Sequence, residues 1–250
     1  MNIALIGYGK MGRLVEQKAK EKGINVVATI DPDVKDAQSK EITEESLKDV
    51  DVCIDFTHPT TAIDNLKKTA VLKRNMVMAT TGWYDKMDEA RKIVNEHGIG
   101  LIWSGNFSIG VNIFFRIIEE AAKIFNRFPD YDALCYELHH NRKADSPSGT
   151  AEMVGRIILE NLERKDTLVF EKLSRKILPN ELHVGSIRGG DIPGTHVVSF
   201  DSAFDTIELR HTARLREGFA LGAIMAAEFI KKQKGFFGID DLMRNIIGGV

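Results

Sequence analysis

The chain has 250 residues, 43% hydrophobic and 28% charged, with a net charge of -2. That composition can bury a sizeable core, and it excludes a disordered chain, a collagen and a disulfide scaffold. The near balance of acid and base leaves no global basic field to favour nucleic acid.

The two cysteines, Cys53 and Cys135, lie in apolar surroundings and share no metal-type spacing. They read as buried thiols in a reducing compartment rather than as a disulfide. The longest apolar stretch, Phe219 to Ala227, falls short of the roughly 20 residues that span a bilayer. The N-terminus runs directly into Ile3-Ala4-Leu5-Ile6 and reads as a strand, not a signal peptide. The expectation is a soluble cytoplasmic protein with no membrane or nucleic-acid partner.

A strand over Asn2 to Ile6 ends in Gly7-Tyr8-Gly9-Lys10-Met11-Gly12, and a helix is predicted from Arg13 to Lys22. Val26 to Ile30 reads as a second strand, closed by Asp31-Pro32. The alternation continues with a strand at Asp51 to Phe56, a helix at Thr60 to Lys73 and a strand at Met76 to Ala79. A helix at Asp85 to His97, a strand at Gly100 to Trp103 and a long helix at Ile109 to Phe125 follow. Alternating strands and helices predict a parallel sheet covered on both faces, a Rossmann-type doubly wound α/β domain.

After Pro129 the pattern changes. Asp132 to Leu138 reads as a strand, and a helix is predicted from about Thr150 to Leu162. Alternating runs follow at 182–187, 196–200 and 205–214. This is a second, α+β domain. Phe219 to Lys232 is a helix with a strongly apolar face, and its sequence does not say which domain it joins.

The first turn fits G-x-G-x-x-G between a strand and a helix, with Asp31 nineteen residues past Gly12 at the end of the second strand. Gly7 permits the tight turn, Gly9 lets backbone approach a pyrophosphate, and Gly12 lets helix pack on sheet. The helix start offers free N–H groups to phosphate. Asp31 suits the ribose hydroxyls of NADH and repels a 2′-phosphate, while Lys10 and Lys35 act in the opposite sense toward NADPH. An ordinary βαβ unit with a glycine-rich turn has the same local pattern.

The densest polar chemistry lies between Glu137 and Ala151, where His139, His140, Arg142 and Lys143 precede Pro147-Ser148-Gly149-Thr150 at a helix start. Exposed N–H groups, hydroxyls and nearby cations suit a small polyanion such as a dicarboxylate. His139 is a candidate acid. The same residues also read as an N-cap with solvated cations. Adjacent histidines without a further ligand at set spacing give no zinc pattern.

The string Glu137-x-His139-x-x-x-Lys143-x-Asp145-x-Pro147-Ser148-Gly149-Thr150-Ala151 closely resembles the signature of the dihydrodipicolinate (4-hydroxy-tetrahydrodipicolinate) reductase family. Further blocks resemble the family in order: Asp55-Phe56-Thr57, Thr80-Thr81-Gly82, Asn106 to Asn112, Arg188 to Gly194, and Gly235 to Leu242.

The resemblance implies NADH or NADPH as hydride donor to a cyclic dicarboxylate, with His139 as proton donor and Lys143 assisting. It places substrate on His140, Ser148, Gly149, Thr150 and Thr81. It places the cofactor on Gly7, Gly9, Lys10, Met11, Gly12, Asp31, Ala79, Thr80, Thr81, Ser104, Gly105, Asn106 and Phe107. It further implies that 1–112 and 217–250 form the dinucleotide-binding domain. Residues 113–216 would form a substrate-binding and oligomerisation domain carrying a mixed sheet, joined in homotetramers. Another Rossmann-type amino-acid dehydrogenase has no reason to carry the His139 to Ala151 string. A dinucleotide-sensing regulator is expected to carry a basic DNA-reading module, and none is evident.

Overall fold

A computed structural model describes residues 1–248. It divides into one unit of Met1–Asn112 together with the segment that begins at Glu217, and a second of Ile113–Arg216.

In the first unit, β1 (Asn2–Ile6) leads through the glycine-rich turn into α1 (Lys10–Glu21) and β2 (Asn25–Ile30). Then come β3 (Val52–Asp55), α2 (Pro59–Val71), β4 (Asn75–Met78), a 3-10 turn at Tyr84–Lys86, α3 (Met87–His97), β5 (Gly100–Trp103) and α4 (Ile109–Phe125), whose first turn belongs here. The parallel pairings give the order β2, β1, β3, β4, β5.

Period-2 alternation along these strands builds two cores. Ala4, Cys53, Met76 and Leu101 face α2 and α3, packing on Leu66, Ala70 and Val94. Ile3, Leu5, Val52, Val77 and Ile102 face the opposite way, onto Val15, Ala19, Ala223, Ile224 and Ala227. Strands buried on both faces cannot alternate apolar with polar, and β3 and β4 are buried throughout.

The second core needs α6 (Glu217–Ile230), so the helix whose membership its sequence leaves open joins the first unit. Beyond it, β11 (Gly235–Gly238) adds an edge strand parallel to β5, and α7 (Ile239–Ile247) follows. Periodicity finds neither element: β11 is two phenylalanines between two glycines. Helix α1 starts at Lys10, earlier than the predicted Arg13, because Gly9 is its N-cap and the last part of the turn is already helical.

The second unit contains β6 (Asp132–His139), α5 (Gly149–Asn161), β7 (Thr167–Val169), β8 (Glu181–Arg188), β9 (Thr195–Asp201) and β10 (Thr206–Thr212). They form a mixed sheet in the order β10-β9-β6-β8-β7, with β6–β8 and β7–β8 parallel and the other pairs antiparallel. Ala133, Cys135, Val184, Val198 and Phe200 cover one face with Phe114, Ile118 and Ala122 of α4 and Val154 and Ile158 of α5.

Candidate active site

In a parallel sheet the carboxyl ends of all strands lie at one edge, and ligands bind where the winding direction reverses. Here that point lies between β1 and β3. Gly7 takes φ +89°, and a Cβ there would collide with the Phe56 carbonyl just past β3. A Cβ on Gly12 would collide with the Gly7 carbonyl. Gly9 differs: it is exposed, and nothing lies within 4 Å of where its Cβ would stand. Two glycines thus close the turn, and the third leaves a bare approach to the start of α1. Gly9 offers no side-chain cap there, and α1 has no acid in its first turn. Lys10 is exposed and Met11 half-buried beside this start. The cradle fits the pyrophosphate of a dinucleotide.

Asp31 reaches back across the turn. Its Oδ2 accepts from Tyr8 N at 2.8 Å, and its Oδ1 accepts from Asp33 N and Val34 N at 3.0 and 3.1 Å. Burial pushes this carboxyl up, but the three N–H donors outweigh burial and hold it below its ordinary range. It is a fixed negative charge. Arg13, the nearby cation on α1, lies 4.5 Å from the Tyr8 ring centroid and forms a two-pronged pair with Asp36 at 2.7 and 2.8 Å.

Asp55, at the end of β3, is fully buried. Burial pushes its carboxyl up, against four donors. Its Oδ1 accepts from Thr57 N at 3.0 Å, from the Thr57 hydroxyl at 2.7 Å and from the Thr80 hydroxyl; its Oδ2 accepts from Asn65 at 2.9 Å. Asp55 thereby anchors the loop after β4. Ala79 is half-buried, Thr80 is buried with its hydroxyl on Asp55, and Thr81 is exposed. After β5, the Ser104 hydroxyl donates to the Asn106 carbonyl at 2.8 Å and accepts from Asn106 N at 3.0 Å. Gly105 is exposed, and Phe107 is buried in the core. The residues expected to line the nicotinamide therefore sit at the ends of two adjacent strands, on a well-tied backbone.

In the second unit, Glu137 organises the polar cluster. Its side chain is fully buried. Oε1 accepts from Ser148 N at 2.9 Å, the Ser186 hydroxyl at 3.0 Å and Arg188 at 2.7 Å. Oε2 accepts from the Ser148 hydroxyl, with His139 Nδ1 at 3.2 Å and His196 Nε2 at 3.3 Å. Burial alone would raise this carboxyl, but the ring of donors brings it well below the carboxylate range. Glu137, His139 and His196 stand close enough for a metal ion. Yet both Glu137 oxygens already accept donors and a guanidinium lies against one of them, so the cluster is an ion-pair network.

His139 is buried, and burial lowers its pKa to about 4, with Glu137 pulling the other way. Lys143 is half-buried and pairs with Asp145 at 2.7 Å. The loop from Arg188 to Gly194 laces this region together: Gly189 N donates to the His139 carbonyl, His140 N to Ile192 and Asn141 N to Gly190. Ser148, expected at the substrate, is buried as the N-cap of α5, donating to Glu137 and accepting from Ala151 N at 3.2 Å. Gly149 is exposed with open space around its missing Cβ, and Thr150 is half-buried beside it.

Sequence reasoning assigned no role to Glu137, Arg188, His196 or Asp55. Arg188 and His196 join the cluster through strand register, with Glu137 opposite His196 and His139 opposite Arg188, and one sequence holds no signal for that. Glu137 and Asp55 were findable as acids within otherwise apolar strands.

The family described as "Dihydrodipicolinate reductase, N-terminus" matches residues 1–107, and "Dihydrodipicolinate reductase, C-terminus" matches 110–243. The 4-hydroxy-tetrahydrodipicolinate reductase of Christiangramia forsetii is 35% identical over 98% of this chain and 99% of its own. That of Archaeoglobus fulgidus is 39% identical over 97% and 100%. A dipicolinate-bound dihydrodipicolinate reductase from Paenisporosarcina sp. TG-14 shares the fold, with a TM-score of 0.78 and 22% identity over 96% of this chain and 98% of its own.

Proposed function

The chain belongs to the dihydrodipicolinate reductase family, and from that membership we propose how its residues divide the reduction of 4-hydroxy-tetrahydrodipicolinate in lysine and diaminopimelate biosynthesis. A bound nicotinamide dinucleotide supplies the hydride. The acceptor is the conjugated C=N/C=C system of the cyclic dicarboxylate left when 4-hydroxy-tetrahydrodipicolinate loses water. The product is tetrahydrodipicolinate.

The first unit holds the cofactor. Gly7, Gly9, Lys10, Met11 and Gly12 with the start of α1 take the pyrophosphate, and Asp31 takes the adenine ribose. Ala79, Thr80, Thr81 and Ser104 to Phe107 line the nicotinamide end. The second unit holds the dicarboxylate. The N-terminus of α5 at Gly149 and Thr150, with His140, receives carboxylate, and Ser148 holds that helix start against Glu137. Lys143 exchanges its Asp145 partner for substrate carboxylate. His139 donates the proton that balances the arriving hydride, and solvent restores it.

The observation that carries this reading is His139, beside fully buried Glu137 two residues away on β6 and followed by Lys143 and a helix start left uncrowded at Gly149. Turnover of NADH and NADPH with freshly made 4-hydroxy-tetrahydrodipicolinate tests it. No consumption of either sinks it.

The rigidly held charge of Asp31 favours NADH, used at least as well as NADPH. The chain assembles as a homotetramer through the mixed-sheet face turned away from α4 and α5, where Leu134 and Ile187 are exposed. Sedimentation equilibrium tests that assembly. Free, buried Cys53 and Cys135 suit the reducing cytoplasm.

A further inference from the structure

Behind His139, polar side chains cross the mixed sheet from strand to strand. Glu137 lies opposite Ser186 of β8 and His196 of β9, and His196 lies opposite His211 of β10. Opposed residues share a sheet face. The charged and titratable groups facing His139 are Glu137 on β6, Lys143 in the following loop, Arg188 on β8 and His196 on β9; His211 stands behind His196.

Glu137 Oε2 is overcommitted. It already accepts the Ser148 hydroxyl, and two imidazole nitrogens approach it at 3.2 and 3.3 Å. A carboxylate oxygen has two lone pairs. Three candidate donors therefore share two acceptor positions. His139 Nδ1, although within reach, makes no aligned hydrogen bond. His196 Nε2 stands between Glu137 Oε2 at 3.3 Å and Ser148 Oγ at 3.2 Å. The two rings stand 5.2 Å apart, edge to face.

We propose that His196 is a positioning residue for the proton donor: by occupying Glu137 Oε2 it keeps His139 Nδ1 loosely held, so that the imidazolium releases its proton readily. The inference rests on the reading of His139 as proton donor. Without His196, Oε2 would turn fully to His139 and stabilise its charged form. A neutral N–H donor at the same place would restore the competition.

The test pairs His196→Phe, which keeps a ring and deletes the donor, with His196→Gln, whose amide replaces it. In the full-length protein, histidine side-chain NMR follows the titration of His139, and kcat is measured against pH. The expected result in His196→Phe is a His139 titration moved up by about one pH unit, a tenfold gain in proton affinity. Its kcat limb should move with it, and NADH affinity by tryptophan quenching should not change. His196→Gln should bring both back toward wild type. Coincident His139 titrations in wild type and folded His196→Phe overturn the proposal, and so does an equal shift in both variants. Should neither variant fold, the wild-type protein decides: the Nδ1 proton of the His139 imidazolium must lie near its ordinary chemical shift, and a strongly downfield signal, the mark of a firm hydrogen bond to Glu137, overturns it. A His139→Gln enzyme with undiminished kcat would sink the proton-donor reading and leave the imidazole coupling standing, so the two failures are distinguishable.

Discussion

His139 carries two constraints that oppose each other. Burial favours the neutral ring, and catalysis needs the proton. In the free protein the balance lies at about 4. A bound dicarboxylate adds negative charge nearby and favours imidazolium. The alkaline limb of kcat, which reports the complex, should therefore lie at least about one pH unit above that of kcat/KM, which reports the free enzyme. Superimposed limbs in parallel pH profiles would count against His139 as the donor. His139→Gln should lower kcat by about 10²-fold or more and leave NADH affinity near wild type. Asp31→Ser removes a fixed charge and frees the Tyr8 N–H, so the NADH-to-NADPH ratio of kcat/KM should fall; a wild-type preference for NADPH of about tenfold, or 1.4 kcal/mol, would refute the Asp31 argument. His139, Lys143 and Asp31 were legible because each sits within a local pattern that one sequence displays. His196 and Arg188 were not, because β-register alone brings them to Glu137, which lies more than 50 residues away in sequence.

Gly9 and Gly149, like Gly238 before α7, stand at helix starts where the surroundings do not require glycine. Gly9 caps α1 and Gly149 opens α5, and an added Cβ at either meets nothing within 4 Å. Gly7 and Gly12, by contrast, are demanded by neighbouring backbone. Gly9→Ala should leave the melting temperature nearly unchanged and weaken NADH about tenfold, whereas Gly12→Ala should fail first in stability. Calorimetry with dinucleotide titration separates the two, and a destabilised Gly9→Ala would return that glycine to a purely structural role. At α5, Thr150→Val should raise KM for the dicarboxylate with NADH affinity unchanged. Periodicity located most of the long elements to within a few residues, since buried helix faces and doubly buried strands leave strong patterns. It missed β11, whose glycine-bounded pair of phenylalanines has no alternation to read, and β7, which is only three residues long.

Across the molecule, acid should be destabilising, and His139 and Glu137 are two of the groups responsible. His139 binds its proton below its unfolded value of 6.5, so the unfolded chain takes up more protons and stability falls as pH drops from about 6.5 to 4. Glu137 is held below its unfolded 4.5, so the stability it contributes is lost further down, as pH falls below that value. Urea titrations across this range should show a midpoint that declines in both windows, and Glu137→Gln should flatten the lower one. The doubly wound sheet and the change to an α+β pattern after Pro129 were legible from the order of elements. The return of the chain to the first unit was legible only through the family resemblance, because an apolar helix face carries no address.

That return also orders events in time. The second unit is one continuous segment, but the sheet of the first lacks its α6 cover until Glu217 onward has been synthesised. At about 5–20 residues per second, translation of the intervening stretch leaves the apolar face of β3, β4 and β5 open for about 5–20 s. The younger segment should therefore mature before the older one. Ribosome-stalled chains truncated at Arg216 and carried clear of the exit tunnel on a flexible linker should show a protease-resistant second unit attached to a sensitive first. Equal resistance of both at that length would mean that the first sheet closes without α6.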